Sequence, residues 1–133
     1  MKAFITGGAG FLGINLVRHL LNRGVSVVSF DIAEFDYPER NVIGVAKGDV
    51  LNVQALRDAM RGCNVVVHCA AALPSYAAGD IMATEVEGTL NVLQAAVENR
   101  ISRVVHISST AVYGTKASGA TETSATEVIG PYA

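Results

Sequence analysis

The chain has 133 residues, half of them hydrophobic and 17% charged, with a formal net charge of −2. That is one domain's worth of chain with enough apolar residues for a sizeable core. It has no clustered basic face of the kind a nucleic-acid partner would need, and no apolar run long enough to cross a membrane. The N-terminal apolar stretch meets Gly7 too early for a signal peptide, and Cys63 and Cys69 fit buried free thiols in a reducing compartment. A cytoplasmic protein with no nucleic-acid and no membrane partner is the expectation.

Strand-length apolar runs alternate with helix-period segments. Lys2–Thr6 is a short apolar run ending in glycine, which predicts a strand. A helix over Phe11–Arg23 follows, with Leu12, Leu16, Val17, Leu20 and Leu21 on one face and Gly24 at its C-terminal cap. Val25–Phe30 and Val42–Ala46 read as the second and third strands. Asn52 can cap a helix running through Met60 and closed by Gly62. Asn64–His68 is a fourth strand. Asp80 can cap a long helix from Ile81 to about Glu98, with Met82, Val86, Leu90, Leu93 and Val97 on one face. Arg103–Ile107 is a fifth strand, and Thr115–Ala125 reads as a loop. The strands are continuously hydrophobic rather than alternating, as a sheet covered on both faces requires. The order predicts an α/β fold with a doubly wound parallel sheet of Rossmann type over residues 1–133.

Gly8-Ala9-Gly10-Phe11-Leu12-Gly13 is a G-x-G-x-x-G turn that follows a strand and opens a helix, the context that makes this pattern a dinucleotide fingerprint. The chemistry needs glycine for a tight turn, for close approach of backbone to the pyrophosphate, and for close packing of helix on sheet. The pyrophosphate is expected on the free N–H groups of the helix starting near Phe11. Asp31 ends the second strand, where a carboxylate can accept hydrogen bonds from the adenosine ribose and repel a 2′-phosphate. Glu34 and Asp36 add negative charge, and no Arg or Lys follows along the chain until Arg40. NAD is therefore favoured over NADP. His19, His68 and His106 have no carboxylate or cysteine at metal-ligand spacing, so they read as structural and no metal is expected. Leu73, Pro74 and Ser75 are expected at the substrate edge of the cleft, beyond the C-terminal end of the fourth strand.

Thr6-Gly7-Gly8-Ala9-Gly10-Phe11-Leu12-Gly13 resembles the fingerprint of the extended short-chain dehydrogenase/reductases, the NAD-dependent epimerase/dehydratase group. Gly48-Asp49-Val50 resembles the family's adenine-binding step, and His68-Cys69-Ala70-Ala71 the step after its fourth strand. Gly88-Thr89-Leu90-Asn91 resembles the family's long-helix motif, and Val105–Gly114 the strand and loop carrying its catalytic hydroxyl. The resemblance covers essentially the whole chain. It implies cofactor contacts from Gly7, Gly10, Phe11, Leu12, Gly13, Asp31, Asp49, Val50, Cys69, Ala70 and Ala71.

It also implies catalysis by Ser109, which would orient the substrate oxygen, and by Tyr132 as phenolate base. Tyr113 is a rival for the base, at a position that in the family more often packs or lines the substrate site. Pro131-Tyr132-Ala133 resembles the start of the family's Tyr-x-x-x-Lys motif, whose lysine would fall at position 136. The chain is thus expected to be the N-terminal part of a larger enzyme, with its sheet truncated after about the fifth strand. The 133 residues alone are expected to be inactive, mobile after about Gly114 and prone to self-association. In the whole enzyme, the resemblance implies hydride transfer on a small-molecule substrate, a nucleotide sugar, in a homo-oligomer. An alcohol or hydroxysteroid-type dehydrogenase and a non-catalytic dinucleotide-binding module stay open as alternatives. One position departs from the family: Glu85 stands where an Asn is common, three residues before the Gly-Thr of the long helix.

Overall fold

The computed structural model describes residues 1–132. Five strands form one sheet: β1 (Lys2–Thr6), β2 (Ser26–Asp31), β3 (Gly44–Lys47), β4 (Val65–His68) and β5 (Arg103–His106). Their spatial order is β3-β2-β1-β4-β5 and every pairing is parallel. The chain leaves β1 toward β2 and returns on its other side at β4, so the strand order reverses at β1. A cleft therefore opens beyond the C-terminal ends of β1 and β4.

The hydrophobic strands divide between two cores. Phe4, Val28, Phe30 and Val66 point to one face, where α2 (Val53–Ala59) and α4 (Thr89–Glu98) cover them with Leu56, Val92, Ala95 and Ala96. Ile5 and Val27 point to the other face, under Ile14 and Val17 of α1 (Phe11–Leu21) and beside Phe35. Neighbouring residues along β1 thus feed opposite cores, which is why the strand is apolar throughout.

The doubly wound sheet matches the sequence expectation, and most differences lie at element ends. β2 starts at Ser26, opposite Lys2, and runs on to Asp31. β3 starts two residues later than expected: pairing begins at Gly44 opposite Val28, and Val42, 70% exposed, ends a turn over Pro38–Asn41. α1 stops at Leu21, with Asn22 as its C-cap and Gly24 (φ +70°) turning the chain back. Asn52 caps α2 as expected, its side-chain oxygen accepting from the Ala55 N–H at 3.0 Å. The long helix begins earlier than expected, as α3 (Ala78–Met82), because the Ala77 carbonyl accepts from both Asp80 and Ile81; Asp80 lies inside the first turn rather than at the cap. A π turn over Ala83–Gly88 joins α3 to α4.

The larger correction concerns which face of this helix is buried. Met82, Val86, Leu90, Leu93 and Val97 form its expected apolar face, yet none is buried against the sheet: Leu90, Leu93 and Val97 point outward, Val97 being 78% exposed, and Met82 and Val86, also exposed, border a cavity beside the end of β5. The sheet side is taken by Ile81, Gly88, Val92, Ala95 and Ala96. Gly88 lies so close to Val50 that a Cβ there would stand 2.6 Å from Val50 Cγ2. Small residues let the helix approach the sheet, and the bulky stripe is left on the far side. The segment after β5 runs through a kinked 3₁₀ helix, Thr110–Lys116, and is tied back by a Glu127 N–H to Val112 carbonyl bond of 2.8 Å.

Candidate functional site

The cleft at the ends of β1 and β4 holds two adjoining cavities. The first, about 280 Å³, is lined by Gly7, Gly10, Asp31, Asp49, Val50 and the Cys69–Ala72 loop, with Phe30 in its wall. The second, about 550 Å³, shares Cys69 and Ala71 with the first and contains Ser109 and Tyr132.

The turn after β1 makes the first cavity possible. Gly7 has φ +66°, and a Cβ on it would stand 2.8 Å from the Ala70 N. Gly13 packs on the turn itself; its Cβ would meet the Gly7 carbonyl oxygen at 2.1 Å. The glycines thus serve the tight turn and the close helix approach that the fingerprint requires. Gly10 caps α1 without a side-chain bond, which leaves the first-turn N–H groups to a ligand. Phe11 and Leu12 are exposed, Phe11 by 89%, and with Gly13 they lie outside the cavity wall.

Asp31 joins β2 to the turn. Its Oδ2 accepts from the Ala9 N–H and its Oδ1 from the Ala33 N–H, both at 2.9 Å. Tyr37 donates to the Ala9 carbonyl at 3.1 Å and holds the turn from the other side. Asp49 accepts from the Leu51 N–H at 2.9 Å, an Asx turn that faces its carboxylate to the cavity rim. Lys47 escapes a reading along the chain. It is the register partner of Asp31, and its Nζ is held 3.0 Å from Glu34 Oε1. Only the pairing of β2 with β3 reveals a cation here.

The loop after β4 is fixed by a chain of side chains. Thr6 Oγ1 accepts from the Cys69 and Ala70 N–H groups at 3.1 and 3.2 Å, so its own proton goes to His68 Nδ1 at 2.6 Å. His68 therefore carries its proton on Nε2, which donates to Thr89 Oγ1 at 3.1 Å. Burial, with the nearby His106, pushes His68 down to about 4, so it is neutral at pH 7. His68 lines neither cavity; it stands behind the Cys69–Ala70 wall and braces it through Thr6. Burial also pushes the Cys69 thiol up to about 11, which makes it a poor nucleophile. Glu85, on the π turn, accepts from the Ala72 N–H at 2.6 Å.

Leu73, Pro74 and Ser75 line neither of these two cavities; Ala72, Tyr76 and Thr84 take that place in the first. Ser109 Oγ accepts from the Ala111 N–H at 3.2 Å, a local cap that leaves its own proton free to donate. Tyr113 lies outside both cavities. Among the described residues no group of three or more His, Cys, Asp or Glu could hold a metal ion, and no helix is long and apolar enough to cross a membrane.

The fold is shared with known proteins. The family model for the NAD dependent epimerase/dehydratase family matches residues 3–133. A 4-hydroxy-2-methyl-3-oxo-4-farnesyl-3,4-dihydroquinoline-1-oxide ketoreductase from Stigmatella aurantiaca is 40% identical over 116 residues, 84% of this chain and 34% of the relative. A human sterol-4-alpha-carboxylate 3-dehydrogenase (decarboxylating) is 36% identical over 113 residues, 84% of this chain and 30% of the relative. The chain spans about a third of the length of these curated relatives. Among solved structures, a short-chain dehydrogenase/reductase superfamily protein from Agrobacterium tumefaciens with bound NAD superposes with a TM-score of 0.89 at 28% identity, over 99% of this chain and 40% of that one. A Thermus thermophilus UDP-glucose 4-epimerase in complex with NAD does so with a TM-score of 0.88 at 27% identity, over 99% and 46%. With the fold, the glycine turn and a family match over almost its whole length in agreement, the chain belongs to the NAD-dependent epimerase/dehydratase family.

Proposed function

We propose that this chain is the dinucleotide-binding part of an NAD-dependent enzyme that moves a hydride between the nicotinamide and a secondary alcohol or its ketone. The observation that carries this reading is the pair of cavities sharing Cys69 and Ala71. One is built around the glycine turn and Asp31, the other around Ser109 and Tyr132. Gly7, Gly10 and the first turn of α1 at Phe11, Leu12 and Gly13 would hold the pyrophosphate. Asp31 would take the adenosine ribose, Asp49 and Val50 the adenine, and Cys69, Ala70 and Ala71 the wall toward the nicotinamide. NAD, when bound, supplies the hydride acceptor. Ser109, with its proton free, would donate to the substrate oxygen, and Tyr132 would receive the hydroxyl proton, with a lysine at position 136 completing the pattern.

Two substrate classes fit. The NAD-bound neighbours, among them a UDP-glucose 4-epimerase and a dTDP-glucose 4,6-dehydratase from Streptomyces venezuelae, support a nucleotide sugar. The curated relatives support an apolar ketone or sterol, with two 3 beta-hydroxysteroid dehydrogenase/isomerases among them at 34% identity. The wall of the second cavity, with Met82, Val86, Ile107, Val112 and Val128, favours this second class. The two differ in whether NADH accumulates: in an epimerase the hydride returns, in a dehydrogenase it does not. The outward apolar residues of α4, Leu90, Leu93 and Val97, support a homo-oligomeric assembly.

The cofactor assignment is tested by calorimetric titration of this chain with NAD and NADP. NAD is expected to bind at least about tenfold tighter, because a 2′-phosphate would face the Asp31 carboxylate. Asp31→Ala should narrow the gap, and equal or tighter binding of NADP by the unaltered chain overturns the assignment.

A further inference from the structure

The second cavity holds a charge that the proposed chemistry does not use. Among the described residues lining it, Glu85 carries the only carboxylate, and no lysine or arginine accompanies it. Glu85 stands on the π turn Ala83–Gly88, a rare form of helix that recurs at functional sites. Its Oε1 accepts from the Ala72 N–H at 2.6 Å, next to Ala71, which with Cys69 both cavities share. The bond fixes the carboxylate where the nucleotide cavity gives way to the one containing Ser109 and Tyr132. An amide at this position could accept the same N–H bond, but it would bring no charge.

We propose that Glu85 is a positioning residue that biases the bound nicotinamide couple toward its oxidised form. This rests on the NAD reading above. The oxidised nicotinamide ring carries a positive charge and the reduced ring none. A fixed carboxylate in a partly enclosed cavity, with no lysine or arginine among the described residues lining it, stabilises the first and leaves the second nearly unaffected. Glu85 therefore holds the loop at Ala72 through its bond and selects the redox state through its charge. The two roles separate by substitution: Glu85→Gln keeps an acceptor for the Ala72 N–H and removes the charge.

The experiment is a set of calorimetric titrations of this chain with NAD⁺ and with NADH. Glu85→Gln is expected to weaken NAD⁺ binding about fivefold or more while NADH binding changes by less than about twofold. Glu87→Gln, an exposed neighbour outside the cavity, removes the same net charge and should leave both unchanged. Glu85→Asp keeps the charge on a shorter arm and should preserve the ratio of the two affinities even where it weakens both. An unchanged NAD⁺ to NADH ratio in Glu85→Gln, or an equal shift of that ratio in Glu87→Gln, overturns the proposal and leaves the NAD assignment standing. Failure of the unaltered chain to bind either form overturns both.

Discussion

Helices α1 and α4 flank the same sheet on opposite faces and meet it in different ways. α1 lays branched side chains, Ile14 and Val17, onto β1 and β2, with Leu16, Leu20 and Leu21 partly buried around them. α4 approaches with Val92, Ala95 and Ala96, while Leu90, Leu93 and Val97 face away. Both segments show the same hydrophobic period in sequence. The period reports where large apolar residues fall; it does not report which side the sheet requires. Where backbone must come close, as Gly88 does to Val50, the side chains facing the sheet must be small whatever their hydropathy.

Substitutions on the two helices can break or sharpen this contrast. The largest effect is expected at Gly13, where α1 meets the turn. An alanine Cβ would stand 2.1 Å from the Gly7 carbonyl oxygen and 2.6 Å from Gly8 Cα, and backbone cannot yield as a side chain can. Gly13→Ala should cost about 4 kcal/mol, read from the urea midpoint, and abolish dinucleotide binding.

Among the polar contacts of α4, that of His68 with Thr89 has a pH signature. Folding lowers the His68 pKa from 6.5 to about 4. Above 6.5 both folded and unfolded states are neutral and nothing is lost. As pH falls from 6.5 to 4 the unfolded chain takes up the proton first, so stability declines, by about 3 kcal/mol in all, and then levels off. Melting curves between pH 7 and 4 should show this slope in the unaltered chain and its loss in His68→Gln.

A smaller effect is expected on the sheet face of α4. Ala95→Leu should cost about 2 kcal/mol by overpacking a site with no space. Leu90→Gln, on the opposite face of the same helix, should change stability by less than about 0.5 kcal/mol. Equal costs at the two positions would mean that α4 is not oriented as described.

The contrast also explains what could be read in the sequence. The central strands were legible because residues such as Phe4 and Ile5, buried on opposite faces, leave no polar position between them. The edge strand β3 shifted by two residues because its exposed residues carry little hydrophobic signal. The glycine turn and the acid at the end of β2 were legible because a tight turn and close helix packing need those residue types at that spacing, whereas the Cys69–Ala71 loop entered only through the family resemblance. Lys47 beside Asp31, Glu85 on Ala72 and the Thr6–His68–Thr89 chain were not legible. Each depends on elements brought together only by strand order and helix placement.

The ion pair between Lys47 and Glu34 has a consequence for how cofactor choice is held. Beside Asp31 the chain keeps a cation of the sign a 2′-phosphate would seek, and occupies it with an acid from the loop after β2. Both side chains are well exposed, so the pair adds little to stability and loosens as salt rises. On the proposed reading, discrimination against the phosphorylated dinucleotide would have two layers of different durability: a carboxylate locked by two backbone bonds, and a neutralised lysine that one substitution at Glu34 would set free.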